Sequence, residues 1–168
     1  ENKLAEQVAF HQQNDHVKCS FGVEQWFRHD QEVKRPKKYE AASIVRFEDL
    51  LEFTFIGPSS IMMDMKLYND LKGFDESLAV CEDFDLWLRL STITPLYLAS
   101  NVRINKHAGD FKQLSASVLS LEPFRVEALL KHQTDERVRD MILKKLGIIK
   151  KGALKHENRE LLDFCEVQ

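Results

Sequence analysis

Apolar residues recur with helical spacing between Cys81 and Thr92, and with a looser two-residue alternation between Val17 and Phe27. At about 100° per residue, Glu82, Asp85 and Arg89 share one polar sector of a helix, while Phe84, Trp87 and Leu88 share the opposite, apolar one. Asp83 falls between Trp87 and Leu90, outside the polar sector. The pattern predicts a helix from about Glu82 to Thr92, stopped by Pro95. Upstream, residues 3–14 read as a helix with Leu4, Val8 and Phe10 on its apolar side, ended by Asn14-Asp15. Val17 to Phe27 reads as a strand with Cys19, Phe21, Val23 and Trp26 inward. Residues 47–52 read as a short helix with Phe47, Leu50 and Leu51 inward. Asp64 to Leu71 reads as another, terminated by Gly73.

Between these two helices, Phe53-Thr54-Phe55-Ile56 and Ile61-Met62-Met63 flank the break Gly57-Pro58-Ser59-Ser60. Such a break either exposes N–H groups and hydroxyls at the lip of a pocket or is an ordinary turn into a buried strand. Pro95 to Arg103 reads as a strand with Leu96, Leu98 and Val102 on one face, running into a Gly-containing loop that carries His107. From Ser120 onward the chain reads as helix, through Phe124, Leu129, Val138, Ile142 and Leu146 to Leu161 and Phe164.

With 168 residues, the chain suits one domain or a large part of one. A formal net charge of -3 excludes a global basic field for nucleic acid. No apolar run approaches the ~20 residues needed to span a bilayer, and no signal-peptide pattern is present. The opening Glu1-Asn2-Lys3-Leu4 lacks an initiator Met and reads like the middle of a longer protein. Cys19, Cys81 and Cys165 form no paired or zinc-binding spacing, so reduced thiols and a cytoplasmic setting are expected. The run Lys34-Arg35-Pro36-Lys37-Lys38 is either a solvated loop or a contact for a phosphate or an anionic membrane surface.

Candidate chemistry concentrates at the acidic helix. Asp83 lies in the first turn, where free N–H groups and the helix dipole favour an anion. A carboxylate so placed can accept a proton from a substrate hydroxyl. The plainer alternative is that the acids start a helix well and that Asp85 pairs with Arg89 one turn on. His107 is a candidate ligand for a metal or a phosphate, or an ordinary surface residue. Cys81 has no nearby His and reads as packing.

Taken together and in order, Pro58-Ser59-Ser60, Gly73-Phe74-Asp75-Glu76-Ser77-Leu78, Cys81-Glu82-Asp83-Phe84-Asp85-Leu86-Trp87-Leu88-Arg89, His107 and Gln113-Leu114-Ser115 resemble bacterial family 2 glycosyltransferases, which have the GT-A fold. The resemblance covers roughly residues 1–130. It implies inverting transfer of a sugar from a nucleotide sugar to an acceptor hydroxyl, in cell-surface glycan synthesis. Asp83 would be the general base and Glu82 would shape the site. Gly57, Pro58, Ser59 and Ser60 would border donor and acceptor, Trp87 would pack beneath the acceptor, and Asp85, Arg89 and Gln113 would belong to the substrate side, Asp85 supporting it by pairing with Arg89. His107 would lie near the diphosphate and a divalent cation, Mg or Mn.

Two features depart from the family pattern. The nucleotide-binding strands and their metal-binding D-x-D have no counterpart here, since Asp83-Phe84-Asp85 spells the motif on the acceptor-side helix. In addition, Asp110 and Gln113 are separated by Phe111-Lys112, where relatives are compact.

The resulting expectation is an α/β chain, α+β within these residues: a partial GT-A-like fold with few strands, several helices and a helical tail. Residues 1–118 would form the acceptor-side half of the transferase domain and 119–168 a helical extension. The expected partners are a nucleotide sugar and a glycan or lipid-linked acceptor, with no nucleic acid and no transmembrane segment. A homo-oligomer would form through the surface left by the missing half. The setting would be cytoplasmic, at the inner face of the membrane, and the chain alone would be inactive. The competing readings are a metal-dependent phosphoester hydrolase using Glu82, Asp83 and Asp85, and a non-catalytic glycan-binding module.

Overall fold

The computed structural model describes residues 2–108 and 118–167. Their order is α1 (Lys3–Gln13), β1 (Cys19–Arg28), β2 (Gln31–Val33), β3 (Ile44–Val45), α2 (Phe47–Leu50), β4 (Ile61–Met63), α3 (Met65–Asp70), α4 (Glu82–Ser91), β5 (Leu96–Ala108), α5 (Glu122–Leu130), α6 (Glu136–Lys155) and α7 (Arg159–Val167). This is an α+β chain with a mixed sheet and a helical C-terminal tail. Among the described residues no helix is long and apolar enough to cross a membrane.

The sheet order is β2-β1-β5-β3, with β4 also paired to β1. The long strands β1 and β5 run parallel, and the three short strands attach antiparallel to them. The β1–β5 register shifts between Gly22 and Val23, where β5 bulges. Gly22 permits this, because a Cβ there would meet the Val102 carbonyl oxygen at 2.9 Å and the Ile104 side chain. Bulges of this kind re-aim the side chains that follow.

One hydrophobic cluster joins all the layers. It takes Cys19 and Phe21 from β1, Phe84, Leu86, Trp87, Leu88 and Leu90 from α4, Val126 and Leu129 from α5, and Val138, Ile142 and Ile149 from α6. The helical tail therefore buries its apolar stripe in the same core as the sheet. Burying side chains such as Trp87 and Phe84 contributes about 2–3 kcal/mol each relative to exposure, which fixes the position of α4.

The elements around the site end where local chemistry requires. The Asp64 carboxylate accepts the Leu67 N–H at 3.0 Å and caps α3. At the other end Gly73 takes φ +64° and its N–H donates to the Tyr68 carbonyl at 3.0 Å, a glycine-type helix stop. Three expectations need correction. The last strand does not end at Arg103: pairing with β1 carries it through to Ala108, because each β1 residue from Val23 to Arg28 finds a partner there. The tail is not continuous helix but breaks around residues 131–135 and 156–158. The helix expected over 47–52 closes after Leu50.

Candidate active site

The site is assembled on Glu24, a residue with no special standing in the sequence. It sits mid-strand on β1 and is only 5% exposed. A buried carboxylate requires donors, and the structure supplies them. The Gly57 N–H donates to Glu24 Oε1 at 3.0 Å and the Trp26 indole N–H donates to Oε2 at 3.0 Å. Lys106 Nζ and an Arg35 guanidinium nitrogen stand 3.7 and 3.9 Å from Oε2. A Cβ at Gly57 would meet Glu24 Oε1 and push the carboxylate aside. The loop before Pro58 is thereby pinned to the sheet by its backbone.

Beside this cluster opens a cavity of about 280 Å³, lined by Glu24, Trp26, Arg35, Tyr39, Gly57, Pro58, Asp83 and Lys106 among others. Trp26 lies 5.3 Å from Tyr39, and Tyr39 lies 5.4 Å from Phe53, giving a run of aromatic rings along one side. Arg35 and Lys106 stand over Trp26 at 5.7 and 5.9 Å from its ring centroid. Trp26 and Lys106 are paired near the C-terminal ends of two parallel strands, the end of such a sheet at which ligands commonly bind.

Asp83 enters the cavity from the first turn of α4. Cys81, just before the helix, holds φ +65°, a left-handed conformation that is uncommon for a residue with a Cβ. This turn brings Asp83 to the cavity wall. Burial pushes the Asp83 carboxyl up to about 6, with Glu82 adding to the effect, while the Phe84 N–H at 2.7 Å and Lys106 draw it back down. The result is a carboxyl that ionises close to neutrality. Burial likewise pushes the Cys81 thiol up to about 11, which favours the protonated thiol near neutrality.

Of the residues expected at the site, Gly57, Pro58 and Asp83 come together in the cavity. Glu82 is next to Asp83 but outside the lining, and Ser59 is exposed on the loop. Ser60, Asp85 and Trp87 are buried beneath the loop and helix that border the cavity. The Ser60 hydroxyl donates to the Gly57 carbonyl at 2.7 Å and its own carbonyl accepts from Gln7, so it shapes the loop from within. Trp87 donates its indole N–H to the Ile56 carbonyl at 3.0 Å, locking α4 against the same loop.

Asp85 is fully buried rather than part of an outer polar sector. Its Oδ2 accepts from Arg89 at 2.6 and 2.9 Å, and its Oδ1 accepts from Lys131 at 2.6 Å. Arg89 also donates to the carbonyls of Leu71 and Gly73, and Lys131 also reaches Asp75 at 2.6 Å. Lys131 and the Ser77 hydroxyl and N–H hold the Asp75 carboxyl far below the usual carboxylate range. The two acidic motifs are thus parts of one clamp. With both of its oxygens taken by cations, Asp85 is not free to join a metal cluster with Glu82 and Asp83.

His107 is also corrected. It lies in β5, not in a loop, and neighbouring strand residues face opposite sides of a sheet. Lys106 faces Glu24 and Asp83, while His107 stacks on Phe27 at 5.2 Å and approaches Asp30 at 3.7 Å. Gln113, with Asp110 and Ser115, lies outside the described residues. Among the described residues no group of three or more His, Cys, Asp or Glu side chains is placed to hold a metal ion. The sequence singles out none of Glu24, Lys106 and Lys131; it places Trp26 only on the inward face of a strand, and it reaches Arg35 only through the basic run 34–38.

No model of a known protein family matches the chain, and no curated protein matches it.

Proposed function

We propose that these residues form the acceptor-side part of an inverting glycosyltransferase of GT-A type, related to the bacterial family 2 enzymes. It would transfer a sugar from a nucleotide sugar to an acceptor hydroxyl in glycan synthesis. The observation that carries the reading is Asp83: a carboxyl at a cavity wall, beside an aromatic run, shifted to about 6 by burial. A general base works best when its pKa lies near the working pH.

In the proposed step, Asp83 takes the proton of the acceptor hydroxyl. The freed oxygen bonds to the anomeric carbon of the donor sugar, and the bond from that carbon to the nucleotide diphosphate breaks. The diphosphate leaves with the electron pair, and the configuration at carbon inverts. The aromatic edge formed by Trp26 and Tyr39 suits the apolar face of a sugar ring. Glu24, Arg35 and Lys106 supply hydrogen-bonding groups around it. The clamp of Asp75, Lys131, Asp85 and Arg89 holds the loop and helix that carry Asp83.

The family implies a divalent cation on the donor diphosphate. The described residues do not fit one, since His107 faces away and Asp85 is consumed by cations. Stabilising a leaving diphosphate is usually a large catalytic term, so the 168 residues alone are expected to show negligible transfer.

Asp83→Asn tests the reading in the intact enzyme. The rate should fall by about 10²- to 10⁴-fold, the usual contribution of a general base, with donor affinity nearly unchanged. An equal loss of donor affinity would make Asp83 a binding residue. The aromatic run favours one alternative, a glycan-binding module without catalysis. In that case Asp83→Asn would weaken glycan binding and no transfer would be found in any form of the protein.

A further inference from the structure

The helix α6 contrasts with the rest of the chain in charge. Residues 141–155 contain five lysines and no acid, in a chain of net charge -3. One lysine, Lys145, is buried and bound to Glu122 and the Glu52 carbonyl, and Lys144 pairs with Glu52. The other three, Lys150, Lys151 and Lys155, are exposed and have no ion-pair partner among the described residues. Between them the helix presents apolar side chains to solvent: Leu143 is 68% exposed, Leu154 60% and Ile148 51%. At about 100° per residue, Leu143 and Leu154 fall on one line along the helix. Lys150 lies on one side of that line, and Lys151 and Lys155 on the other. The opposite face, with Val138, Ile142 and Ile149, is already spent in the core.

We propose that this outward face of α6 docks on an anionic phospholipid bilayer, with the leucines entering the headgroup boundary and the lysines meeting lipid phosphates. An interfacial helix gains from both kinds of contact at once. Neither competing occupant matches both. Nucleic acid would meet the lysines but leave the apolar line without a use. A second copy packed by two-fold symmetry would bring the same lysine-rich face against itself. Asp140 and Glu136 lie at the N-terminal end of α6, so the C-terminal turns form the contact. The proposal does not depend on the transferase reading, since it rests on α6 alone.

Co-sedimentation of the full 168-residue chain with vesicles tests it. Binding is expected to vesicles of phosphatidylcholine mixed with phosphatidylglycerol and not to phosphatidylcholine alone, with release by added salt. The variant Lys150→Gln/Lys151→Gln/Lys155→Gln should bind about five-fold more weakly for each lysine removed. Leu143→Ser/Leu154→Ser should lower binding with an unchanged unfolding midpoint, because both side chains are exposed. Three results would overturn the proposal: no binding to anionic vesicles at low salt, binding undiminished in the lysine variant, or a dimer in light scattering that the leucine variant dissolves. Tighter capture of duplex RNA than of anionic vesicles would overturn it as well.

Discussion

Lys131 Nζ donates to Asp85 Oδ1 at 2.6 Å across 46 residues of sequence, leaving the buried Asp85 carboxylate paired on both oxygens. Removing one partner of a buried charge costs more than the pair contributes, because the other charge is left uncompensated. Lys131→Met should therefore destabilise the fold by about 1–3 kcal/mol, with Arg89 still in place. Arg89→Met should cost about 3–5 kcal/mol, since the Leu71 and Gly73 carbonyls lose their donor as well. The double variant should lose less than the sum, as expected for residues sharing one carboxylate. Urea midpoints of the three variants check this.

The Asp83 carboxyl has a folded value of about 6, above its ordinary value of 3.8. The folded state therefore holds an extra proton between these two values, and its contribution to stability is lost as pH rises through 6. At neutral pH the ionised, half-buried group costs the fold up to about 3 kcal/mol. Asp83→Asn should raise stability at pH 7 and change it little near pH 4, while removing the proposed base. Denaturation of both forms at the two pH values reads the difference directly. A gain in stability with a loss of function is the usual signature of a strained site residue.

Gly57 and Glu24 make a sharper test of the loop. The Gly57 φ of -76° is one that alanine adopts readily, so any cost of Gly57→Ala arises from the side chain. A Cβ would displace Glu24 Oε1 and break its bond to the Gly57 N–H. The expected loss is about 1–3 kcal/mol, the cost of an unsatisfied buried group. Glycan binding, followed by changes in Trp26 fluorescence, should weaken with it.

How much of this was legible in the sequence depends on how far apart the partners lie. The outlying angle of Asp83 was readable because helical geometry is local, and so was the Asp85–Arg89 pair. The burial of Asp85 was not, since it rests on Lys131 from another helix. Glu24 looked like one polar position in an alternating strand; Gly57, Arg35 and Lys106, which enclose it, come from separate segments. His107 was misplaced for a related reason. The apolar pattern ends the strand at Arg103, whereas long-range pairing with β1 extends β5 to Ala108 and decides which of Lys106 and His107 faces the site.

That alternation can be tested in a pair of variants. Lys106→Ala removes the cation that draws the Asp83 carboxyl down, so the Asp83 titration should move above about 6. His107→Ala should leave it where it is, because His107 packs on Phe27 across the sheet. Titrations followed by carboxyl-carbon NMR separate the two.

The same spectroscopy applied to the unaltered chain bears most directly on the role given to Asp83. Its side-chain carboxyl carbon, assigned by comparison with Asp83→Asn, should titrate with a midpoint of about 6. A midpoint at or below the ordinary aspartate value of about 4 would mean a solvated acid at the start of a helix, and would contradict its assignment as the base.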